Sequence, residues 1–162
     1  MFIIDKLATN TLERQQALQA VANIETLVQP EDPWTEQTLA EMLAQDSTHI
    51  MIVYKPEGKA DNNKVIGYCL YQVIFEQAEI LRIGTHPDYQ RQGIASQLFA
   101  TLNNELINNK VESLLLEVRA DNAPAIALYE QQAFAVIHTR KNYYQLPHQS
   151  AIDALIMQRF YH

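Results

Sequence analysis

One cysteine, one tryptophan, four glycines and six prolines among 162 residues leave several routes closed. A lone Cys69 forms no internal disulfide and no cysteine-built zinc site. Gly58, Gly67, Gly84 and Gly93 never fall into the G-x-G-x-x-G spacing, and neither G-x-x-x-x-G-K-[ST] nor G-x-S-x-G occurs, so dinucleotide, P-loop and serine-hydrolase chemistries lose their main support. The five histidines are scattered, with no H-E-x-x-H and no pair at helical spacing, and no metal is expected. Basic residues are also scarce, 12 against 19 acidic ones. The formal charge of −7 argues against nonspecific nucleic-acid binding, which rests on phosphate neutralisation, and suits a cationic partner. No apolar run approaches the ~20 residues that cross a bilayer, and Met1 to Lys6 lacks the basic-then-apolar order of a secretory signal. No membrane role is expected, and the cytoplasm is the expected compartment.

What is present is 48% apolar residues, enough for one core, with no repeat, linker or low-complexity tract to divide it. A single domain over 1–162 is therefore expected. Three- and four-residue apolar spacing predicts a helix over Thr11–Val28, closed by Pro30, and a second over Thr35–Gln45 with Thr35 as its cap. Strands are expected at Ile50–Lys55, Val65–Phe75 and Ala78–Thr85, the first two joined by a polar turn over Pro56–Lys64. Gly93 then opens a helix in which Ile94, Leu98, Leu102 and Leu106 recur every fourth residue. Ser113–Val118 reads as a strand buried on both faces, and Ala123–Gln132 as a short helix with Pro124 in its first turn. Two more strands are expected at Phe134–His138 and Ala151–Phe160, around a long polar loop. The order αα, βββ, α, β, α, ββ describes an α/β (α+β) fold with a mixed sheet between helices.

The segment that carries chemistry runs from the strand ending at Thr85 through Gln90-Arg91-Gln92-Gly93-Ile94-Ala95-Ser96. A helix start leaves backbone N–H groups without partners and has partial positive charge, so a strand, a tight turn and a helix start make an anion cradle. Gly93 admits a ligand where a Cβ would collide, and Arg91 adds a fixed charge. On spacing alone this motif serves equally as a phosphate site or as an ordinary strand-to-helix turn.

Gln90-x-x-Gly93-x-Ala95 after a strand resembles the Q/R-x-x-G-x-G/A motif of the GNAT acetyltransferases. Four further segments, His86 to Gly93, Leu116 to Asn122, Ala125 to Glu130 and Asn142-Tyr143-Tyr144, are similar to the RimI-type ribosomal-protein N-terminal alanine acetyltransferases. Pro33-Trp34-Thr35 and Asp153 to Met157 fit the same pattern. The resemblance implies the GNAT fold, a mixed, mostly antiparallel central sheet of six to seven strands flanked by about four helices. It implies acetyl-CoA as cosubstrate, with Ile83, Gly84 and Thr85 presenting strand backbone to its acetyl and pantetheine part. Arg91, Gln92, Gly93, Ile94, Ala95 and Ser96 would hold its pyrophosphate, and Asn122 would contact it on the opposite arm. Glu117 matches the family's general base and Tyr129 its general acid. The implied reaction transfers acetyl to a protein N-terminus, the alanine of a small-subunit ribosomal protein, directly within a ternary complex. Its rivals are acetylation of lysine or a small amine, and an acyl-CoA-binding module without turnover.

The chemistry is consistent with these roles. An α-amino group titrates near ~8 and a lysine near ~10.4, so at pH 7 deprotonation costs about 1 kcal/mol for the first and about 4–5 for the second. A carboxylate is base enough for the first. Taken as residue types alone, Glu117 is better read as a strand-end carboxylate paired with Arg119, an order the resemblance reverses; Tyr129 is a core aromatic by the same measure, and Glu79, a rival for the base role, a solvated strand-start charge. Cys69 is expected in the core, and Tyr143 and Tyr144 either wall a peptide groove or clamp a loop.

Overall fold

A computed structural model describes residues 1–57 and 63–161. Among these, seven strands and four helices alternate as β1 (Ile3–Lys6), α1 (Thr11–Val28), α2 (Glu36–Leu43), β2 (Thr48–Pro56), β3 (Asn63–Ile74) and β4 (Gln77–Thr85). A short 3₁₀ turn, Pro87–Tyr89, leads to α3 (Ile94–Asn108), β5 (Ser113–Arg119), α4 (Ala123–Gln131), β6 (Ala135–Tyr144) and β7 (Ile152–Phe160). Hydrogen-bonded strands follow the order β1-β2-β3-β4-β5-β7-β6, a mixed sheet with β4 parallel to β5. The expected fold class holds. Of the expected Pro56–Lys64 turn, residues 58–62 lie outside the described residues.

Contacts divide the chain into two units, one of Met1–Gln72 with Arg82–Glu105, the other of Val73–Leu81 with Leu106–His162. In the first, β1, β2 and β3 form an antiparallel ladder, with Ile3 opposite Tyr54 and Met51 opposite Cys69. Asn10 caps α1 by accepting from the amides of Leu12 and Glu13, and Thr35 caps α2 by accepting from Thr38. Each cap satisfies amides that the helix cannot, worth about 1 kcal/mol. On α1 the residues turned inward are Ala17, Leu18, Val21, Ile24 and Glu25. On α3, Ile94, Leu98 and Leu102 are essentially inaccessible, as their fourfold spacing predicts. Each such side chain contributes about 1.5–3 kcal/mol of burial.

In the second unit, β5 lies between two partners. Its parallel ladder with β4 runs from Gln77–Ser113 to Glu79–Leu115, while its antiparallel ladder with β7 continues to Arg119–Ala154. Expected to be buried on both faces, β5 instead alternates: Leu114, Leu116 and Val118 are buried, and Leu115, Glu117 and Arg119 stand half-exposed on the other face. The strand therefore carries a wet face as well as a dry one.

The first half of the long polar loop expected after His138 is strand. β6 continues to Tyr144, and its pairing with β7 slips between Arg140–Ala154 and Tyr144–Ile152. Residues 141–143 bulge out, with Asn142 at φ 54. Asp153 holds the bulge, its side chain accepting from the Asn142 amide at 2.8 Å while its carbonyl accepts from Ala120 at 2.9 Å. The 3₁₀ turn falls where a tight turn was expected after Thr85, whereas β1 had no sequence counterpart. β1 is four mostly exposed residues that owe their extended form to the ladder with β2.

Candidate active site

In the first unit, β4 ends at Thr85 with Ile83, Gly84 and Thr85 all partly accessible. The Gln90 side chain folds back to donate to the Thr85 carbonyl at 3.2 Å, which closes the turn. Arg91 and Gly93 both adopt left-handed backbone, at φ 62 and φ 80. Residues that alternate hand in this way turn successive N–H groups toward one side, a concavity suited to anions. Gly93 then accepts the first helical bond, from Gln97 at 3.0 Å, so it occupies the cap position of α3. It has no side-chain oxygen to satisfy the amides of Ile94, Ala95 and Ser96, in contrast with Asn10 and Thr35. Among the described residues, a Cβ at Gly93 would meet no atom within 4 Å beyond its own chain neighbours. Space in front of the loop and amides without a capping side chain suit a diphosphate.

Gly84 owes its identity to something else. A Cβ built there would lie 2.6 Å from the Tyr68 hydroxyl and 2.9 Å from Cζ. The ring of Tyr68, itself fully buried, fills the place of a side chain at Gly84.

The second unit holds Glu117, Tyr129 and Asn122. Glu117, on the half-exposed face of β5, accepts a hydrogen bond at Oε2 from the Tyr144 hydroxyl at 3.0 Å, and Oε1 lies 3.8 Å from an Arg140 guanidinium nitrogen. Arg119 forks onto Asp121 at 3.0 and 2.9 Å. Burial, then the charge of Glu117 and its hydrogen bond, push the Tyr144 phenol above its ordinary range, so it stays a donor to the carboxylate. Glu79 is exposed, as a strand-start charge should be, yet partial desolvation first and Glu117 second raise its pKa, opposed by Arg140. Glu79 and Glu117, rivals for the base role by sequence, thus act on each other through space.

Tyr129, on α4, is 8% exposed and meets Phe134 edge to face at 5.9 Å. Asn122 caps α4, its Oδ1 accepting from Ala125 at 3.3 Å. The Tyr144 contact to Glu117 had a signal in the Asn142-Tyr143-Tyr144 segment, but its partner depends on the bulge. Cys69 is a fully buried core residue, its thiol pushed up by burial. Among the described residues no group of three or more His, Cys, Asp or Glu is placed to hold a metal, and no helix is long and apolar enough to cross a membrane.

The strand order and the glycine-capped helix after β4 define the N-acetyltransferase class of fold. The crystal structure of the ribosomal-protein-S18-alanine N-acetyltransferase from Escherichia coli superposes with a TM-score of 0.79 at 31% identity, covering 99% of this chain and 94% of that one. The Escherichia coli K12 protein named [ribosomal protein bS18]-alanine N-acetyltransferase is 37% identical over 125 residues, 77% of this chain and 79% of the relative. A protein of the same name from Haemophilus influenzae is 28% identical over 157 residues, 97% of each. The acetyltransferase (GNAT) family model matches residues 18–134, and the chain belongs to that family. It is an acetyltransferase whose acyl donor is acetyl-CoA.

Proposed function

We propose that this enzyme acetylates the α-amino group of a protein N-terminus, specifically the alanine that begins a small-subunit ribosomal protein of the S18 type, and that it works in the cytoplasm as one domain spanning 1–162. The observation that carries this reading is Glu117: a half-buried carboxylate oriented by the Tyr144 hydroxyl and Arg140 on the accessible face of β5. The names of the Escherichia coli and Haemophilus influenzae relatives support the acceptor, and the family model, which includes parts of both units, supports the single domain.

In this mechanism the turn from Arg91 to Ser96 holds the diphosphate of acetyl-CoA through the amides that Gly93 leaves uncapped, with the Arg91 guanidinium adding charge. The backbone of Ile83, Gly84 and Thr85 aligns the pantetheine and polarises the thioester carbonyl. Glu117 takes a proton from the peptide ammonium, directly or through water, at a cost of about 1 kcal/mol near pH 7 for an α-amine. The free amine lone pair forms the C–N bond, the C–S bond breaks, the Tyr129 phenol gives its proton to the departing sulfur, and the second nitrogen proton, lost as the amide forms, passes through water to restore the phenol. Asn122, its oxygen engaged in capping α4, contributes through its amide nitrogen on the cofactor's other arm. Transfer is direct: the chain's one thiol is buried and held protonated, so it is no acyl carrier.

A panel of synthetic peptides incubated with enzyme and acetyl-CoA, then read by mass spectrometry, tests the proposal. Acetyl should appear on the α-amine of peptides that begin with alanine. Reaction of internal lysines or free polyamines, with alanine peptides inert, would overturn it.

A further inference from the structure

Glu25 on α1 is completely buried, and in the first unit two hydrogen-bond donors and one guanidinium converge on it. The Tyr68 hydroxyl from β3 donates a short hydrogen bond to Oε2, the Trp34 backbone amide donates to Oε1 at 3.0 Å, and Arg82 Nε from β4 lies 3.1 Å from Oε1. Arg82 also reaches the loop between α1 and α2. Its guanidinium lies 4.7 Å over the Trp34 ring, donates to the Asp32 carbonyl, and sits 3.7 Å from the Asp32 carboxylate. The loop is therefore held to β4 by a stack, a hydrogen bond and charge, and to α1 by Glu25. A buried ion pair is weak evidence for stability, because desolvating two charges offsets most of their attraction. Here its geometric effect is the better explanation: it fixes a loop on β4 beside the residue that precedes Ile83, Gly84 and Thr85.

The geometry points to Arg82 as a positioning residue that clamps the Asp32–Trp34 loop against β4, so that the loop forms the acceptor-side wall of the site. The inference rests on the proposed role of Ile83–Thr85 in holding the thioester. An amine that attacks a thioester lying along those residues must approach past what flanks them, and on the Arg82 side that is Asp32, Pro33 and Trp34. The carboxylate of Asp32, 87% exposed, gives this wall a negative charge that suits a cationic peptide end. Arg82 touches no reacting atom. It acts by holding Trp34 and Asp32 in place, and its planar fork and stacking face are what a lysine there would lack.

Trp34 is the chain's only tryptophan, so its emission reads the clamp directly. Arg82→Gln should shift Trp34 emission, raise KM for an alanine-ended peptide about tenfold, and leave KM for acetyl-CoA within about twofold. Tyr68→Phe removes a donor from Glu25 but leaves the Arg82–Trp34 stack, so it should lower Tm and leave both the emission and the peptide KM near wild type. A rise of both KM values together in Arg82→Gln, an unchanged peptide KM, or an emission change no larger than that of Tyr68→Phe would overturn the assignment. Failure of the wild-type enzyme to acetylate any alanine peptide would instead remove the underlying functional reading. The wall is then judged by Trp34 emission during titration with the acetylated acceptor, silence counting against it.

Discussion

Replacing Gly84 by alanine tests the packing beneath β4 most directly. The new methyl would sit 2.6 Å from the Tyr68 oxygen, 2.9 Å from Cζ and 3.0 Å from Cε1, all inside contact distance. The ring has nowhere to yield, since it is fully buried and its hydroxyl is tied to Glu25. Overpacking of this kind costs about 1–3 kcal/mol, and the loss of glycine's freedom in the unfolded chain returns about 0.5. A net cost of about 0.5–2.5 kcal/mol lowers Tm by about 1–10 °C in a chain of this length. Tyr68→Phe removes the closest atom and also frees the ring from Glu25. The double variant Gly84→Ala, Tyr68→Phe should therefore be more stable than the sum of the two single costs by about 1 kcal/mol. Urea unfolding of the four proteins, with equal slopes, measures this coupling. A neutral Gly84→Ala, or costs that simply add, would refute the argument that Tyr68 dictates glycine at this position.

Other expectations concern the chemistry. Glu117→Gln should lower kcat by about 10²–10⁴ with little change in KM for acetyl-CoA, and Tyr144→Phe, which only loosens the carboxylate, should cost less than about tenfold; steady-state kinetics separates them. Tyr129→Phe should slow turnover while isothermal titration shows coenzyme A binding intact. Gly93→Val forces a branched side chain into φ +80 and into the ligand's approach, so the same titration should show coenzyme A affinity reduced by tenfold or more, about 1.4 kcal/mol. Glu79 has its pKa raised by partial burial and by Glu117, so its ionised form is disfavoured in the folded protein. Stability from this group is full below the ordinary glutamate pKa and falls as pH rises through the raised one. Glu79→Gln should thus raise the urea midpoint at pH 7 relative to wild type and lose that advantage near pH 4.

Where local periodicity decides structure, the sequence was legible. The Thr11–Val28 helix has those bounds, Thr35 does cap its helix, and the Ile94, Leu98, Leu102, Leu106 stripe is the buried face of α3. The strand Ser113–Val118 was found, but its apolar Leu114-Leu115-Leu116 run hid the alternation that leaves Glu117 accessible. Lys141, Asn142 and Tyr143 show no strand pattern because Asp153, ten or more residues away, shapes that bulge. Gly93 and Arg91 stood out from the motif, and the backbone hand that suits them to an anion is of the kind glycine signals. The Glu25 cluster illustrates the limit. Glu25 falls within the expected Thr11–Val28 helix, but the partners that explain a buried carboxylate there come from β3 and β4, and long-range pairs leave no local trace.

The burial of Cys69 has a practical consequence for measuring this enzyme. Every turnover releases one free sulfhydryl on coenzyme A, and a chromogenic disulfide reagent added to the folded enzyme should find only that product, since the protein's own sulfur is sealed in the core. The same reagent, with substrates left out, turns colour only as the fold opens, so one dye reports catalysis in the first case and unfolding in the second.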